Sequence, residues 1–422
     1  MKLKINPFRP DKPVTDFDLF AGRSDELKVL IDALYQIEHG NPKHTIVTGP
    51  RGIGKSSFIN QIQSLTKNRS PILRELDIHA GEFGFRFAVY QHIAMKNQTT
   101  ESIVTSLIMK MRKDTKGDLQ SWFGSILEKW KPKFKIPAVG EIEYQPHNVQ
   151  DTSAISTDFI EAIRNLWKEI KDSKDGIVII IDEVDTVAAD TDIASFLKTL
   201  TELMLNSGLD KVALYLGGIT DAIEKLKGDH ASIGRVFETV ELSPMNHEES
   251  REVITKTLAS GVETSQVEIT PSAIERVVEI AEGFPAVIHQ LCYHAYRFDD
   301  DNSIDENDVQ LALHDVVTRV RREELDKSLS RAGTGYARKI LFVMANDDRH
   351  NVPLADIAKR LSKPTNEVSS PITKLVRDEK VVRVERALYR IKDPLLRLYI
   401  RQLDEFEQSE KQKDDRQMTL KM

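Results

Sequence analysis

Two kinds of apolar pattern alternate along the first part of the chain. Runs of aliphatic and β-branched residues occur at 44–48, 176–182 and 212–216, and apolar residues recur at helical spacing between them, as at 27–34 and 158–170. Strands with apolar residues at nearly every position are typical of a parallel sheet that helices cover on both faces. The pattern therefore predicts an α/β fold with a doubly wound parallel sheet.

The segments between these runs are less regular. Residues 72–78 have the composition of a further strand, and the region 85–135 is expected to hold helices and linkers. Around Pro137 and Gly140, residues 133–144 alternate in a way that predicts a small hairpin.

After residue 246 the apolar spacing is helical. Three helices are predicted at 272–282, 285–298 and 306–320, and a charged, then glycine-containing segment at 321–335 marks a boundary. The predicted domains are an N-terminal arm at 1–18, a nucleotide-binding core at 19–243, a helical lid at 244–325, a small domain at 336–403 and a charged tail at 404–422.

The small domain has the pattern of a winged helix. Helices are predicted at 336–345, 353–361 and 364–376, and an alternating segment at 381–391 predicts a two-stranded wing. In this fold the third helix enters the major groove of DNA. The expected DNA contacts are Thr365, Asn366, Ser369, Ser370, Thr373, Lys374 and Arg377 on that helix, with Arg383, Arg386 and Arg390 on the wing. A winged helix can also contact a protein, and both interpretations stay open.

The clearest chemical motif follows the strand at 44–48. It reads Gly-Pro-Arg-Gly-Ile-Gly-Lys-Ser, with a helical pattern after it. Glycines let such a loop point its N–H groups at phosphate oxygens, and the following helix adds its positive end. Lys55 would reach the β- and γ-phosphates of ATP, and the Ser56 hydroxyl would bind Mg²⁺. The residues expected at the nucleotide are Gly49, Pro50, Arg51, Gly52, Ile53, Gly54, Lys55, Ser56 and Ser57.

Polar residues also end two of the later strands. Asp182 closes the run at 176–182, where its carboxylate could hold Mg²⁺ directly or through water, and Glu183 is placed to polarise the attacking water. Thr220 follows the run at 212–216. Its hydroxyl would either contact the γ-phosphate or cap the helix that follows, and the two readings are equally open.

Charge is distributed unevenly along the chain. The net charge is −7, yet residues 331–403 contain 16 Lys and Arg against 8 Asp and Glu, and residues 1–330 carry −13. Contact with double-stranded DNA is therefore expected from the basic C-terminal part. With Cys292 as its single cysteine the chain has no internal disulfide, and the N-terminus lacks an apolar signal segment. A cytoplasmic protein without a membrane partner is expected.

In combination these motifs resemble AAA+ ATPases of the origin-recognition and replication-initiator type, and the related prokaryotic signalling-type (STAND) ATPases. Gly49–Ser56 and Asp182-Glu183 are similar to their two Walker motifs. The resemblance implies that Phe20, Gly22 and Arg23 form the adenine-side box. It also implies that Arg235 is an arginine finger offered to a neighbouring subunit, so that the chain would self-associate, and that Pro285 of Gly283-Phe284-Pro285 begins a lid helix at the nucleotide.

The sequence departs from this family at two positions. Ala286 stands where replication initiators often carry an arginine that touches the γ-phosphate, and Thr220 stands where an Asn is more usual. Arg235 could also be an ordinary surface arginine. Two functions therefore stay open: an ATP- and Mg²⁺-dependent switch that hydrolyses ATP and binds double-stranded DNA, or a signalling or defence ATPase whose winged helix contacts a separately encoded effector protein.

Overall fold

A computed structural model of the chain describes residues 5–68, 70–79, 84–96, 98–130, 152–187, 193–220, 223, 233–261, 267–333 and 335–404. The hairpin predicted at 133–144 and nearly all of the predicted tail lie outside these residues. Two compact units are present, one of residues Asp11–Lys256 and one of Met1–Pro10 with Thr257–Met422. The domain boundaries derived from the sequence stay predictions.

The unit Asp11–Lys256 contains a five-stranded parallel sheet with strand order β2-β3-β4-β1-β5. Its strands are β1 (His44–Thr48), β2 (Phe87–Ile93), β3 (Gly176–Asp182), β4 (Val212–Gly218) and β5 (Phe237–Glu241). Its helices are α1 (Ser24–Glu38), α2 (Lys55–Asn68), α3 (Ser70–Glu75), α4 (Thr100–Arg112), α5 (Gly117–Trp130), α6 (Thr152–Ile170), α7 (Ile193–Asn206), α8 (Ile233–Val236) and α9 (His247–Ala259), with 3-10 turns at Phe17–Leu19 and Val184–Thr186.

Helices cover both faces of this sheet. Ile177, Ile179 and Ile181 of β3 point into a core shared with α4, α5, α6 and α7. Because side chains alternate along a strand, the residues between them face the opposite side, where α2 packs on β1 and β4. Every residue of β3 is buried, as a strand between two helical layers requires. The predicted doubly wound fold is confirmed.

The strand predicted at 72–78 is wrong. Most of this segment is helical, because Ile72, Leu73 and Leu76 lie on one buried helical face and Leu76 N donates to Ile72 O at 3.1 Å. The strand in this part of the chain is β2, which lies at one edge of the sheet and within the region expected to hold helices and linkers. It pairs in register with β3 along its whole length. β2 lies at the edge of the sheet and has one neighbouring strand, and its sequence contains no long aliphatic run that would have predicted it.

The second unit begins with a helical part that matches the predicted lid. It contains α10 (Pro271–Ala281), α11 (Pro285–Phe298), α12 (Glu306–Asp315) and a π-helical turn at Val316–Val320, with a short parallel pair β6 (Glu268–Ile269) and β7 (Ser303–Ile304). From the N-terminal arm, Phe8 is 1% exposed and packs edge-on against His289. Phe8 of the arm therefore packs on α11, where Asn6 Nδ2 also donates to the carbonyl oxygen of Tyr293 at 2.8 Å.

After α13 (Arg322–Arg331) the chain forms a winged helix. Its elements are α14 (Tyr336–Ala345), β8 (Val352–Pro353), α15 (Leu354–Arg360), α16 (Thr365–Arg377), β9 (Val381–Glu385) and β10 (Leu388–Ile391), and residues 394–404 are helical. The three helices and the wing match the prediction. The sequence analysis missed β8, a two-residue strand that pairs with β10 and completes a three-stranded sheet. Across the described parts of the chain, no helix is both long and apolar enough to cross a bilayer.

We predict that His44 makes the stability of the sheet unit depend on pH. The imidazole is 5% exposed, its Nδ1 accepts the Leu214 N–H at 3.1 Å, and burial lowers its pKa from 6.5 to about 4. The unfolded state therefore binds the proton first as pH falls from 6.5, and stability is lost progressively down to pH 4. Between pH 7 and pH 5 the expected loss from this residue is about 2 kcal/mol.

The measurement is the free energy of unfolding from denaturant titration at both pH values. His44→Asn keeps an acceptor for Leu214 and should show a smaller pH-dependent loss than wild type. His39→Asn, at an exposed histidine of the same unit, is the matched control and should leave the wild-type loss unchanged. Equal pH dependence in wild type and His44→Asn would contradict the prediction.

Candidate functional site

The phosphate loop joins β1 to α2 at the carboxyl edge of the sheet. Gly49 has φ +149°, and a Cβ added there would lie 2.6 Å from the carbonyl oxygen of Leu242. No other residue type fits this close approach without moving the backbone. The tight loop brings Lys55 to the first position of α2, where free backbone N–H groups and the helix dipole favour phosphate.

The Lys55 side chain folds back into this loop. Its Nζ donates to the carbonyl oxygens of Gly49 and Pro50, both at 2.9 Å. Burial lowers the pKa of this ammonium group, and the carboxylates of Asp185 and Asp182 oppose the shift. The charge is thus held inside the loop, where phosphate oxygens would replace the carbonyl partners.

Ser56 and Asp182 form the candidate metal site. Ser56 Oγ donates to Asp182 Oδ2 at 2.6 Å, and Asp182 is 1% exposed. Gly217 of β4 leaves room for this carboxylate, since a Cβ added there would lie 2.2 Å from Asp182 Oδ1. Within the described residues no group of three or more His, Cys, Asp or Glu could hold a metal alone. Two hard oxygen ligands beside a phosphate loop nevertheless fit Mg²⁺, which usually completes its shell with phosphate and water.

Glu183 adopts a left-handed backbone conformation directly after β3. Its φ is +57°, and its N–H donates to Asp182 Oδ1 at 2.9 Å. This bend turns the Glu183 side chain out of the sheet, where it is exposed, while Asp182 stays buried. Partial desolvation and the neighbouring carboxylates of Asp182 and Asp185 raise the pKa of Glu183. A raised pKa is the usual property of a carboxylate that accepts a proton in a reaction.

Asp185 connects three parts of the site. Its Oδ1 accepts the Ile219 N–H at 3.2 Å, and its Oδ2 lies 3.8 Å from Nη2 of Arg51 in the phosphate loop. Arg51 is 78% exposed, so this ion pair contributes little stability. The pair nevertheless shows that the tip of the loop lies near the end of β3.

Thr220 reaches the same edge from β4. Thr48 Oγ1, at the end of β1, donates to Thr220 Oγ1 at 3.3 Å, so both hydroxyls lie beside the phosphate loop. This position suits contact with a γ-phosphate. The alternative role as a helix cap stays untested, because most of residues 221–232 lie outside the described part of the chain.

The box predicted at the adenine side is tied directly to the phosphate loop. Arg23 is 3% exposed with φ +63°, and its Nη2 donates to the carbonyl oxygen of Ile53 at 3.4 Å. Its Nη1 donates to Glu26 Oε1 at 3.3 Å. Phe20 is buried against Phe58 of α2. Arg23 therefore acts in this structure as a buried connection between the two predicted nucleotide-binding segments.

One face of α9 completes this region, and the sequence analysis missed it. Gly22 N–H donates to Glu252 Oε2 at 3.0 Å, and Arg23 N–H donates to Glu249 Oε1 at 2.9 Å. Lys256 Nζ donates to Phe20 O at 3.0 Å. The three charged residues recur at helical spacing, so the sequence does show that they share one face of a helix. Their partners could not be predicted, because they lie more than two hundred positions away in the chain.

Arg235 lies at the amino ends of the parallel strands, whereas the phosphate loop lies at their carboxyl ends. It is exposed on α8, immediately before β5, whose first residue Phe237 pairs with His44 at the start of β1. The phosphate loop follows the last residue of β1, roughly 15 Å further along the strand. That distance exceeds the reach of an arginine side chain, so Arg235 is not part of the phosphate-loop site of its own chain.

Pro285 belongs to the second unit, where it is the first residue of α11. The turn before it contains Glu282 at φ +48° and Gly283 at φ +79°. Ala286 is exposed at the following position. The predicted role of Pro285 at the nucleotide stays a prediction.

The residues predicted at DNA lie mainly on one exposed surface of α16 and the wing. Val368, Ile372 and Leu375 form the buried face of α16. The exposed residues are Thr365, Asn366, Ser370, Thr373, Lys374, Arg377, Arg383 and Arg386, and Ser369 and Arg390 are half-buried. The hydroxyls of Ser369 and Thr373 donate hydrogen bonds to backbone carbonyl oxygens of the preceding helical turn. The cations on this surface are exposed, and two of them also have protein partners: Arg377 lies 3.8 Å from Asp378, and Arg383 donates to the carbonyl oxygen of Glu385 at 3.3 Å.

Comparisons with known proteins agree with this architecture. Residues 19–209 match the family described as AAA ATPase domain. An uncharacterised HTH-type transcriptional regulator of Methanocaldococcus jannaschii is 25% identical over 334 residues, which cover 77% of this chain and 76% of that protein.

Two solved structures have a similar fold. The Walker-type ATPase PABY2304 of Pyrococcus abyssi superposes with a TM-score of 0.56 at 17% identity, over 93% of this chain and 99% of that one. The ORC2 protein of Aeropyrum pernix has a TM-score of 0.55 at 11% identity, over 96% and 98%. The family match agrees with the AAA ATPase part of the resemblance noted in the sequence, and the two structures share the fold.

We predict that Gly217→Ala selectively weakens binding of Mg·ATP. The new methyl group would displace the Asp182 carboxylate from the position where it could hold Mg²⁺ directly or through water, and one charge-assisted hydrogen bond of that kind contributes about 1.5–3 kcal/mol, so affinity should fall roughly tenfold or more. The measurement is titration with a fluorescent ATP analogue, with Mg²⁺ and with EDTA. Affinity in EDTA should change little, and thermal unfolding verifies the fold. Equal losses in Mg²⁺ and EDTA would contradict a metal role for Asp182.

Proposed function

We propose that this chain, whose residues 19–209 match the AAA ATPase domain family, binds Mg·ATP and hydrolyses it as a molecular switch. The observation that carries the proposal is the hydrogen bond between Ser56 and Asp182, at 2.6 Å, beside the half-buried Lys55 ammonium. Phosphoryl transfer needs positioned charge more than covalent chemistry. The carboxyl edge of this sheet supplies a cation and metal ligands within one small region.

Each residue of this edge has a distinct proposed role. Mg²⁺, held by Ser56 and Asp182, would neutralise charge on the phosphates. Lys55 would exchange its two carbonyl partners for phosphate oxygens. Glu183 would accept a proton from the attacking water, a role that suits its raised pKa. Thr220 would donate its hydroxyl to the γ-phosphate.

Arg235 is proposed to act on a neighbouring subunit. Its position at the far edge of the sheet, with an exposed side chain, supports this role over one within its own site. A guanidinium brought to the γ-phosphate of a second copy would stabilise the charge that develops in the transition state. Hydrolysis would then depend on self-association.

The winged helix is proposed to bind double-stranded DNA. Support comes from the exposed polar surface of α16 and the wing, and from the excess of basic over acidic residues in 331–403. The Methanocaldococcus relative is named a transcriptional regulator of HTH type. Lys374, Arg377, Arg383 and Arg386 would contact phosphates, and Asn366 lies in the first turn of α16, which enters the groove in this fold.

A second candidate function is a signalling ATPase whose winged helix contacts an effector protein. The observation that favours it is Ala286, exposed at the position where the lid of initiators often offers an arginine to the γ-phosphate. Without that arginine, hydrolysis would be less directly coupled to the lid. The DNA experiment below separates the two candidates.

We predict that Glu183→Gln and Arg235→Ala each abolish turnover but complement each other when mixed. Loss of a proton acceptor costs roughly 100-fold or more, and loss of an arginine finger roughly a thousandfold. In the mixture, an intact site in the Arg235→Ala subunit meets an intact arginine from the Glu183→Gln subunit. The measurement is steady-state phosphate release at several protein concentrations.

Lys55→Ala mixed with Glu183→Gln is the control and should stay inactive, because neither subunit then has an intact site. Recovery in that control, or full activity of Arg235→Ala alone, would contradict a role for Arg235 between subunits. Full activity of Glu183→Gln would contradict its assignment as proton acceptor.

We predict that Lys374→Ala with Arg377→Ala weakens binding to duplex DNA and reduces its salt dependence. Each phosphate contact contributes about 0.9 to the slope of log affinity against log salt, so the slope should fall by about 2. The measurement is fluorescence anisotropy of a random-sequence duplex across a salt series.

Lys339→Ala, which removes an exposed lysine from α14 of the same domain, is the matched control. It should leave the slope unchanged. Equal slopes in all three proteins would contradict the proposed surface. A wild-type chain that does not bind duplex even at low salt would overturn the DNA proposal and leave the effector protein as the candidate.

A further inference from the structure

Two consecutive residues of the box at 20–23 adopt left-handed backbone conformations. Gly22 has φ +65° and Arg23 has φ +63°. Because Arg23 is not glycine, this conformation costs free energy that neighbouring contacts must offset. The bend turns two successive N–H groups toward α9. It also directs the buried Arg23 side chain toward the phosphate loop, where Nη2 donates to the carbonyl oxygen of Ile53 at 3.4 Å.

The contacts that hold this bend come from two carboxylates of α9. Glu252 Oε2 accepts the Gly22 N–H at 3.0 Å, and Glu249 Oε1 accepts the Arg23 N–H at 2.9 Å. Successive N–H groups in a turn form a concavity that binds anions, and hydrogen bonds to charged acceptors are about twice as strong as neutral ones. A Cβ added to Gly22 would lie 2.8 Å from Glu249 Oε1, so the close approach requires glycine.

Further contacts hold the second oxygen of each carboxylate. Glu249 Oε2 accepts the N–H of Asn246 at 2.9 Å, and Asn246 Oδ1 accepts the N–H of Glu249 at 2.9 Å, which caps α9. Glu252 Oε1 lies 2.7 Å from Lys256 Nζ, which also donates to the carbonyl oxygen of Phe20. Both carboxylates are therefore fixed to their own helix while they accept from the box.

The chain around α9 supports the phosphate loop at two points. Leu242 follows β5 and precedes α9, and its carbonyl oxygen lies against Gly49, the first residue of the loop. Near the other end of the loop, Ile53 accepts from Arg23, whose backbone α9 holds. All of these residues belong to the unit Asp11–Lys256. The loop is thus supported directly at Gly49 and through Arg23 at Ile53.

We infer that Glu249 and Glu252 are positioning residues for nucleotide binding, because they hold the bend that directs Arg23 to the phosphate loop. The inference rests on the proposed function and extends it, since neither carboxylate is assigned to contact the nucleotide. Without their charges the loop is less ordered before nucleotide binds. Affinity then falls, because part of the binding free energy is used to order the loop.

The first measurement is hydrogen exchange by mass spectrometry on the full chain without nucleotide. Glu249→Gln combined with Glu252→Gln keeps the size of both side chains and the capping role at position 249, but replaces two charged acceptors by neutral ones. Exchange in residues 49–58 should rise roughly fivefold or more. Exchange in α6, on the other face of the sheet, should stay unchanged, whereas a general loss of stability would raise exchange in both.

The second measurement is the affinity for a fluorescent ATP analogue with Mg²⁺, in a cycle with Arg23→Met. The two glutamine substitutions together should lower affinity roughly fivefold or more. They should lower it no further in a chain that already carries Arg23→Met, because the contact through which they act is then absent.

Glu248→Gln is the matched control, since it makes the same change at an exposed neighbouring position of α9. It should behave as wild type in both measurements. Each glutamine substitution alone should give a smaller effect of the same kind, and the single variants replace the combined one if it fails to fold.

The outcomes separate the inference from the proposed function. Exchange of wild-type rate in residues 49–58 of the glutamine variants would overturn the inference. Wild-type affinity in these variants, or a further loss beyond that of Arg23→Met, would also overturn it and leave ATP binding intact. A wild-type chain that binds no ATP analogue would overturn the proposed function, and the inference with it.

Discussion

The parallel arrangement of β1, β3 and β4 is the constraint on which the candidate site depends. Parallel strands end at the same edge, so Thr48, Asp182 and Thr220 become neighbours although Thr48 lies more than a hundred residues before the other two in the chain. The hydrogen bond from Ser56 to Asp182 closes this arrangement across the sheet. An antiparallel neighbour would place its carboxyl end at the other edge, and the candidate metal ligands would not meet.

The same edge concentrates unusual backbone geometry. Glu183 has a positive φ, and Gly49 takes a conformation that glycine favours, against the carbonyl of Leu242. A positive φ is uncommon for a non-glycine residue and costs free energy that the surrounding packing must supply. At Glu183 the result is that two consecutive carboxylates face different surroundings. The buried Asp182 bonds Ser56, and the exposed Glu183 has a raised pKa.

The second unit is organised by a different interaction, a set of polar contacts between the lid and the winged helix. Glu282 and Arg397 are both nearly excluded from water, and their mutual attraction is strongest there because solvent does not screen it. Such a pair contributes orientation more than net stability, since desolvation offsets most of the attraction. The lid turn and the winged helix are thus held in one defined orientation.

How much could be predicted from the sequence varied with the range of the interaction. The α/β class, the phosphate loop, the strand that ends in Asp182 and the winged helix follow from local patterns, because each depends on residues adjacent in the chain. The strand at 72–78 was wrong and β2 was missed, because a short apolar segment fits either periodicity until its neighbours are known. The roles predicted for the site residues stay predictions.

Local sequence therefore determined the fold class and the chemical type of the site, through spacing that fixes helices, buried strands and a loop for phosphate. Tertiary structure alone decided which distant groups meet. It brought Glu249, Glu252 and Lys256 of α9 into hydrogen bonds with residues 20–23. It also placed Arg235 at the end of the strands away from the phosphate loop and paired Glu282 with Arg397. The physical reason is that hydrogen bonds and ion pairs act over a few ångströms in space, whatever the separation along the chain.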